Sequence, residues 1–145
     1  MATRTAQTRW SGGLQDGSGT VELTSSGIGT FDVSFPRRTA DEAGGVTSPE
    51  ELIGAAHSSC FAMACSAELG KVGGTVKSLT VRADVSLGAD PAGGLRISGI
   101  ALTVRGRVSG LDAAAFEQAA VAAKSGCPVS KALAGVEISM DAVLE

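Results

Sequence analysis

Tyrosine is absent from this 145-residue chain and tryptophan occurs once. Aromatic residues make up 3% of it, too few for the stacking platforms that bind single-stranded nucleic acid. Strong positive charge is also missing. Lys and Arg number 12 against 15 Asp and Glu, the net charge is −3, and the only adjacent basic pair is Arg37–Arg38. No nucleic-acid partner is expected. No window approaches the roughly 20 apolar residues of a membrane span, and the opening MATRTAQTRWSGG lacks the apolar core of a secretory signal. The expectation is a cytoplasmic protein with no membrane partner. Only three cysteines occur, and in a reducing compartment they do not suggest a disulfide framework. They leave core thiols, a metal site or redox chemistry.

What is present suits a packed domain. Hydrophobic residues make up 43% and charged ones 19%, so a core can form, and the length fits a single domain spanning 1–145. Glycines punctuate the chain. GTVELTSS (19–26) and GTFDVSF (29–35) read as two strands around a turn near Gly27, with Phe31, Val33 and Phe35 on the buried face. PRRTADEAGGV (36–46) reads as a polar loop. Ser48 then reads as an N-cap, Pro49 as the first helical residue and Glu51 as the partner that completes a capping box. With Gly70 as the stop, the helix is about 21 residues, or about 31 Å, long. Its middle is apolar all round, and such a helix is normally buried all round. A chain of this size can hardly surround it alone, which points to a second subunit.

Farther on, KSLTVRADVSL (77–87) alternates strictly, with Leu79, Val81, Ala83, Val85 and Leu87 on one face. The strand over 95–108 begins with Leu95 and Ile97 inward, then shifts phase to Ile100, Leu102 and Val104, so a bulge is expected at Gly99. LDAAAFEQAAVAAK (111–124) is helical, with Asp112 near its start. CPVSKALAG (127–135) reads as a short helix behind Pro128, and 136–144 as a final strand. The expected class is α+β, a mostly antiparallel sheet around a long buried central helix.

Two cysteines, Cys60 and Cys65, share the long helix. Five helical residues turn the side chain by about 140° and advance it about 7.5 Å. The Cα separation is then roughly 8.6 Å, beyond the ~7 Å limit for a disulfide. His57 lies one turn before Cys60, so a Cys–His nucleophile pair and a half-buried packing histidine are both open readings. No C-x2-C spacing of zinc type occurs. Cys127 falls at the start of the short helix, where the dipole favours thiolate, and a core or capping thiol is the competing reading. Cys60 sits mid-helix in apolar company, where burial alone raises its pKa and leaves it inert. As a nucleophile it needs an imported cation. Arg37 and Arg38, in the loop before the helix, are the candidates, and Glu50 in the first turn is placed to hold one of them.

The stretches SPEELIGAAHSSCFAMACS and KSGCPVSKAL together resemble the OsmC/Ohr family of thiol-dependent peroxidases. His57 and the spelling EEL lie closer to the OsmC (osmotically inducible protein C) branch. RW.G…GSGTV and ADVSL fit as well, so the resemblance spans essentially the whole chain. It implies an intertwined α+β homodimer with active sites at the subunit interface. It also implies reduction of organic hydroperoxides, and of hydrogen peroxide less well, with no metal, flavin or haem cofactor. Cys60 matches the peroxidatic cysteine, Cys127 the resolving cysteine, and Glu50 the catalytic glutamate. The arginine loop is about two residues longer than usual, so Arg38 is the first choice and Arg37 the second. A Cys60 sulfenic acid, a Cys60–Cys127 disulfide and recycling by an external dithiol, lipoyl-type in relatives, follow from the same resemblance. Phe61, Leu52, Ile53 and Met63, with Phe31 or Phe35, supply apolar surroundings suited to an alkyl or lipid hydroperoxide. Cys65 has no counterpart in the motif. A non-catalytic lipid- or small-molecule-binding dimer, or a redox sensor, is the alternative role for the same fold.

Overall fold

Six strands form two separate three-stranded sheets, not the single sheet that the hairpin pattern suggests. In the computed structural model, which describes residues 1–145, the chain divides into two units, Met1–Leu52 and Ile53–Glu145.

The first unit holds an antiparallel sheet of β1 (Gln7–Ser11), β2 (Ser18–Glu22) and β3 (Thr30–Val33), with β2 in the middle. The β2–β3 hairpin matches the sequence reading, and Gly27 takes a φ of 68° at its turn, a conformation open mainly to glycine. Strand β1 carries no such signal, because all five of its residues are exposed and no apolar alternation marks it. The expectation that Phe31 faces a core is corrected, since Phe31 is 41% exposed. So small a unit has little interior, and Val21 is its one buried hydrophobic residue.

The polar loop contains one helical turn, α1 (Phe35–Arg38). Ser34 caps it by accepting from the Arg37 N–H at 3.3 Å, and Pro36 fixes φ in its first turn. The chain then returns to the sheet edge. Val33 bridges Thr47, and the Thr47 N–H donates to the Asp32 carbonyl at 3.0 Å. Helix α2 (Pro49–Lys71) starts directly afterwards. Ser48 accepts from the Glu51 N–H at 3.1 Å, which is half of the expected capping box. The Glu51 carboxylate accepts instead from the Thr47 hydroxyl.

Helix α2 runs 23 residues, through Gly70. The stop is Gly73, at φ 85°. The Gly74 N–H donates to the Leu69 carbonyl at 2.9 Å and the Gly73 N–H to the Gly70 carbonyl at 3.2 Å. This is a Schellman closure, and it corrects Gly70 as the terminator. One stripe of α2 is buried, through Gly54, His57, Phe61, Cys65 and Leu69. Another, through Ala55, Ala56, Ser59, Met63, Ser66 and Ala67, is exposed in the single chain, with Met63 73% exposed.

In the second unit, β4 (Thr75–Ala89) and β5 (Leu95–Ser109) form a long antiparallel hairpin. Helices α3 (Ala113–Gly126) and α4 (Pro128–Ala132) follow, and β6 (Ile138–Leu144) pairs with β5 in parallel. That parallel pairing departs from the antiparallel expectation, because a helical crossover returns the chain in its original direction. Register slips where β5 changes phase: Ser86 faces Gly99 and Leu87 faces Ile97, leaving Ser98 as the bulged residue. A second slip, at Lys77, left no mark in the alternation. Leu95, expected inward, is 51% exposed because it lies at the turn end of the hairpin, past the core.

The core gathers Phe61, Cys65 and Leu69 of α2, Ile100, Leu102 and Val104 of β5, and Phe116 with three alanines of α3. Gly106 continues the inward face of β5, and a Cβ there would come within 2.5 Å of the Phe116 ring. Since Phe116 is fully buried, that ring has little room to give. Gly106→Ala is expected to cost about 1–3 kcal/mol, read as a lower urea midpoint. Gly135→Ala, where a Cβ meets nothing within 4 Å, serves as the control, and equal midpoints for the two variants would contradict this packing.

Candidate active site

Three free cysteines occur, and two of them meet. The Cys60 and Cys127 sulfurs are 3.2 Å apart although the residues are 67 positions apart in sequence. Closing them to the ~2.05 Å of a disulfide needs an approach of only about 1.2 Å. Two local features bring Cys127 there. Its backbone is extended, ending α3 and capping α4, and Pro128 prevents the two helices from running on as one. The Cys127 side chain is buried, and that of Cys60 is half-buried at the edge of the α2 core stripe.

The two thiols differ in acidity. Burial pushes the Cys60 thiol up, and the neighbouring Cys127 adds to the rise, against a lowering contact from the Val129 N–H. Burial also acts to raise Cys127, but the Ser130 N–H, Cys60, the Ser130 hydroxyl and the Val129 N–H together outweigh it and bring that thiol below its ordinary value. These donors lie at the start of α4 without closing a regular cap bond. With the second unit's own groups, Cys127 is therefore the more acidic partner, and Cys60 needs a further cation to become a thiolate.

Cys65 is fully buried in the core, and desolvation, with a smaller effect from Glu68, pushes its thiol up to about 11. It is inert at neutral pH. His57 does not form the Cys–His pair left open by the sequence. Its Nε2 lies 2.7 Å from the Ser130 hydroxyl oxygen, its Nδ1 has no partner, and burial lowers its pKa. Ser130 escaped the sequence reading, although it stands in the CPVS word three residues after Cys127. No group of three or more His, Cys, Asp and Glu is arranged to hold a metal ion.

The first unit holds an ion pair. Arg38 Nε lies 3.1 Å from each Glu50 carboxylate oxygen and one Nη lies 2.7 Å from Oε1. This is a forked, charge-assisted contact that fixes the guanidinium plane. It forms because α1 presents Arg38 and the Val33–Thr47 bridge brings the start of α2, and so Glu50, back to the same sheet edge. Glu50 is only 8% exposed, and Arg38 is the partner of its carboxylate. Arg37 points elsewhere: its guanidinium lies over Gly44, where a Cβ would be 2.7 Å from Nη1. Arg38 also borders an apolar cavity of about 510 Å³ with Trp10, Leu14, Val21, Phe35 and Leu52 on its walls. Leu14 carried no sequence signal, since isolated exposed apolar residues are ordinary, and Trp10 entered only as part of the RW.G word.

The other residues expected near a substrate are separated. Phe61 is fully buried in the second unit's core and Ile53 packs against that core. Met63 lies on the exposed stripe of α2, and Leu52 lines the cavity.

Comparison with known proteins gives a consistent result. Residues 42–141 match the family described as OsmC-like protein. Peroxiredoxin OsmC of Escherichia coli (strain K12) is 44% identical over 135 residues, covering 93% of this chain and 92% of that one. The solved structure of the organic hydroperoxide resistance protein OhrB of Bacillus subtilis superposes with a TM-score of 0.74 at 27% identity, covering 97% of this chain and 98% of that one. An organic hydroperoxide resistance protein OsmC from Legionella pneumophila gives 0.71 at 27% identity, covering 99% of each chain. A family match over most of the chain, together with a 44% identical relative along nearly its whole length, makes this chain a member of the OsmC-like protein family.

Proposed function

We propose that this OsmC-like peroxidase reduces organic hydroperoxides, and hydrogen peroxide less well, through a Cys60 sulfenic acid and a Cys60–Cys127 disulfide. The observation that carries the reading is the 3.2 Å contact between the two sulfurs. It is supported by the relatives, named for peroxiredoxin activity and for organic hydroperoxide resistance.

Arg38, held by Glu50, supplies the cation that the Cys60 thiolate lacks, and it polarises the bound peroxide. The Cys60 thiolate attacks the terminal peroxide oxygen. A sulfur–oxygen bond forms, the oxygen–oxygen bond breaks, and the alkoxide takes up a proton and leaves as alcohol. The Cys60 sulfenic acid is then attacked by Cys127, the hydroxyl departs as water, and the disulfide closes. An external dithiol of lipoyl type reopens it by exchange, becoming a disulfide itself. The apolar cavity beside Arg38 suits the alkyl part of such a substrate. The protein acts as an intertwined homodimer. The uncovered stripe of α2, small residues around an exposed Met63, is the surface a second copy would bury. No helix is long and apolar enough to cross a membrane, and the expected setting is the cytoplasm.

Two experiments test the roles. Cys60→Ser should abolish reduction of cumene hydroperoxide in a peroxide-consumption assay, and Cys127→Ser should consume about one equivalent and stop with a dimedone-reactive sulfenic acid. Sustained turnover by Cys60→Ser would sink the assignment. Arg38→Ala should lower kcat/KM by about 10²-fold, as loss of one oriented charge at a reacting centre does. Glu50→Gln should cost less, because the guanidinium is then misplaced rather than removed. A larger loss from Arg37→Ala than from Arg38→Ala would reassign the cation.

A further inference from the structure

His57 is a fully buried titratable group that the mechanism above does not use. Its one polar contact joins α2 to α4: Nε2 lies 2.7 Å from Ser130 Oγ, and Nδ1 is buried with no partner. Burial lowers its pKa, so the ring is neutral and carries a single N–H. Two tautomers are available. A proton on Nδ1 would bury an unpaired donor. A proton on Nε2 pairs the donor with Ser130 and leaves only a bare acceptor at Nδ1, the less costly orphan. The Ser130 hydroxyl then accepts from His57, and its own hydrogen is free to donate to another acceptor. Cys127 stands three residues earlier, as the N-cap of α4, and Ser130 is the third residue of that helix, a position whose side chain can reach back to the cap.

We propose that His57 is a positioning residue for the second half-reaction. Its Nε2–H donates to the Ser130 oxygen and so leaves the Ser130 hydroxyl hydrogen free to donate to the Cys127 sulfur. The proposal rests on the reading of Cys127 as the resolving cysteine. In that step the Cys127 thiolate attacks the Cys60 sulfur, the sulfur–sulfur bond forms, the sulfur–oxygen bond breaks, and the hydroxide takes from solvent one proton, the equivalent of the one Cys127 released on ionising, and leaves as water. The Ser130 hydrogen bond holds the attacking sulfur as thiolate until the new bond consumes its charge, and the hydroxyl keeps its own proton throughout.

The test separates the two half-reactions in a Cys65→Ser background. Reduced protein is mixed with one equivalent of cumene hydroperoxide. Dimedone trapping follows the sulfenic acid, and thiol counting with mass spectrometry follows the disulfide. Ser130→Ala and His57→Leu should each slow disulfide closure by about tenfold, the usual effect of one hydrogen bond to a charged group, and should slow sulfenic acid formation less. His57→Gln places an amide N–H near the position of Nε2 and should recover most of the lost rate, which mere filling of the site would not do. Ser130→Ala removes a single hydroxyl oxygen, so it reports even if His57→Leu does not fold. Closure at the parent rate in Ser130→Ala would overturn the proposal while leaving the reading of Cys127 intact. Failure of the parent to form any Cys60–Cys127 disulfide would overturn the proposal together with that reading.

Discussion

A thiol withdrawn from water is a poor nucleophile, and the second unit brings two thiols into contact, one buried and one half-buried. Cys60 and Cys127 sit 3.2 Å apart in surroundings that raise the pKa of the first and lower that of the second. The contact is close enough to close as a disulfide with a small movement and too long to be one already. Much of the local structure serves this distance. The buried stripe of α2 packs against β5 and α3, and the break at Pro128 turns α3 into α4 so that Cys127 faces Cys60. Gly106 leaves room for the Phe116 ring against β5, which seats the helix that leads to Cys127.

The acidity imbalance explains the rest of the proposed machinery. Left to its own helix, Cys60 keeps its proton, and the more acidic partner is the one assigned to the later step. The first unit holds a guanidinium fixed by a nearly buried carboxylate, Arg38 on Glu50, next to an apolar cavity. On the proposed mechanism the two roles are divided. The full positive charge of Arg38 activates Cys60, whereas Cys127 is prepared by fixed neutral donors, the α4 N–H groups and the Ser130 hydroxyl that His57 orients.

Where burial was regular, the sequence was a faithful guide. The strict alternation of β4, the phase change in β5 and the Asp112 cap of α3 all appear as read, and the Asp112 carboxylate accepts from the Ala115 N–H at 2.8 Å. The absence of a Cys60–Cys65 disulfide followed from helix geometry alone, and Cys65 lies in the core. Errors fall where that regularity gives out. Strand β1 is wholly exposed, so no alternation could reveal it. The end of α2 depends on a left-handed φ, and sequence could not choose between Gly70 and Gly73. The parallel pairing of β6 is a matter of crossover topology, which local pattern does not encode. At the site, an arginine of the 37–38 pair held by Glu50 was anticipated from charge and proximity to the helix start, and the choice of Arg38 came from the family resemblance. The His57–Ser130 contact was not anticipated, because it joins residues 73 positions apart with no periodic relation.

The central claim is that Cys60 and Cys127 are the redox pair and that Cys65 is a spectator. Peptide mapping of the protein after one equivalent of an organic hydroperoxide tests it directly. The account predicts a single intrachain disulfide between the peptides holding Cys60 and Cys127, with Cys65 recovered as a free thiol after denaturation. A disulfide or sulfenic acid on Cys65, or full retention of all three thiols while peroxide is consumed, would contradict it.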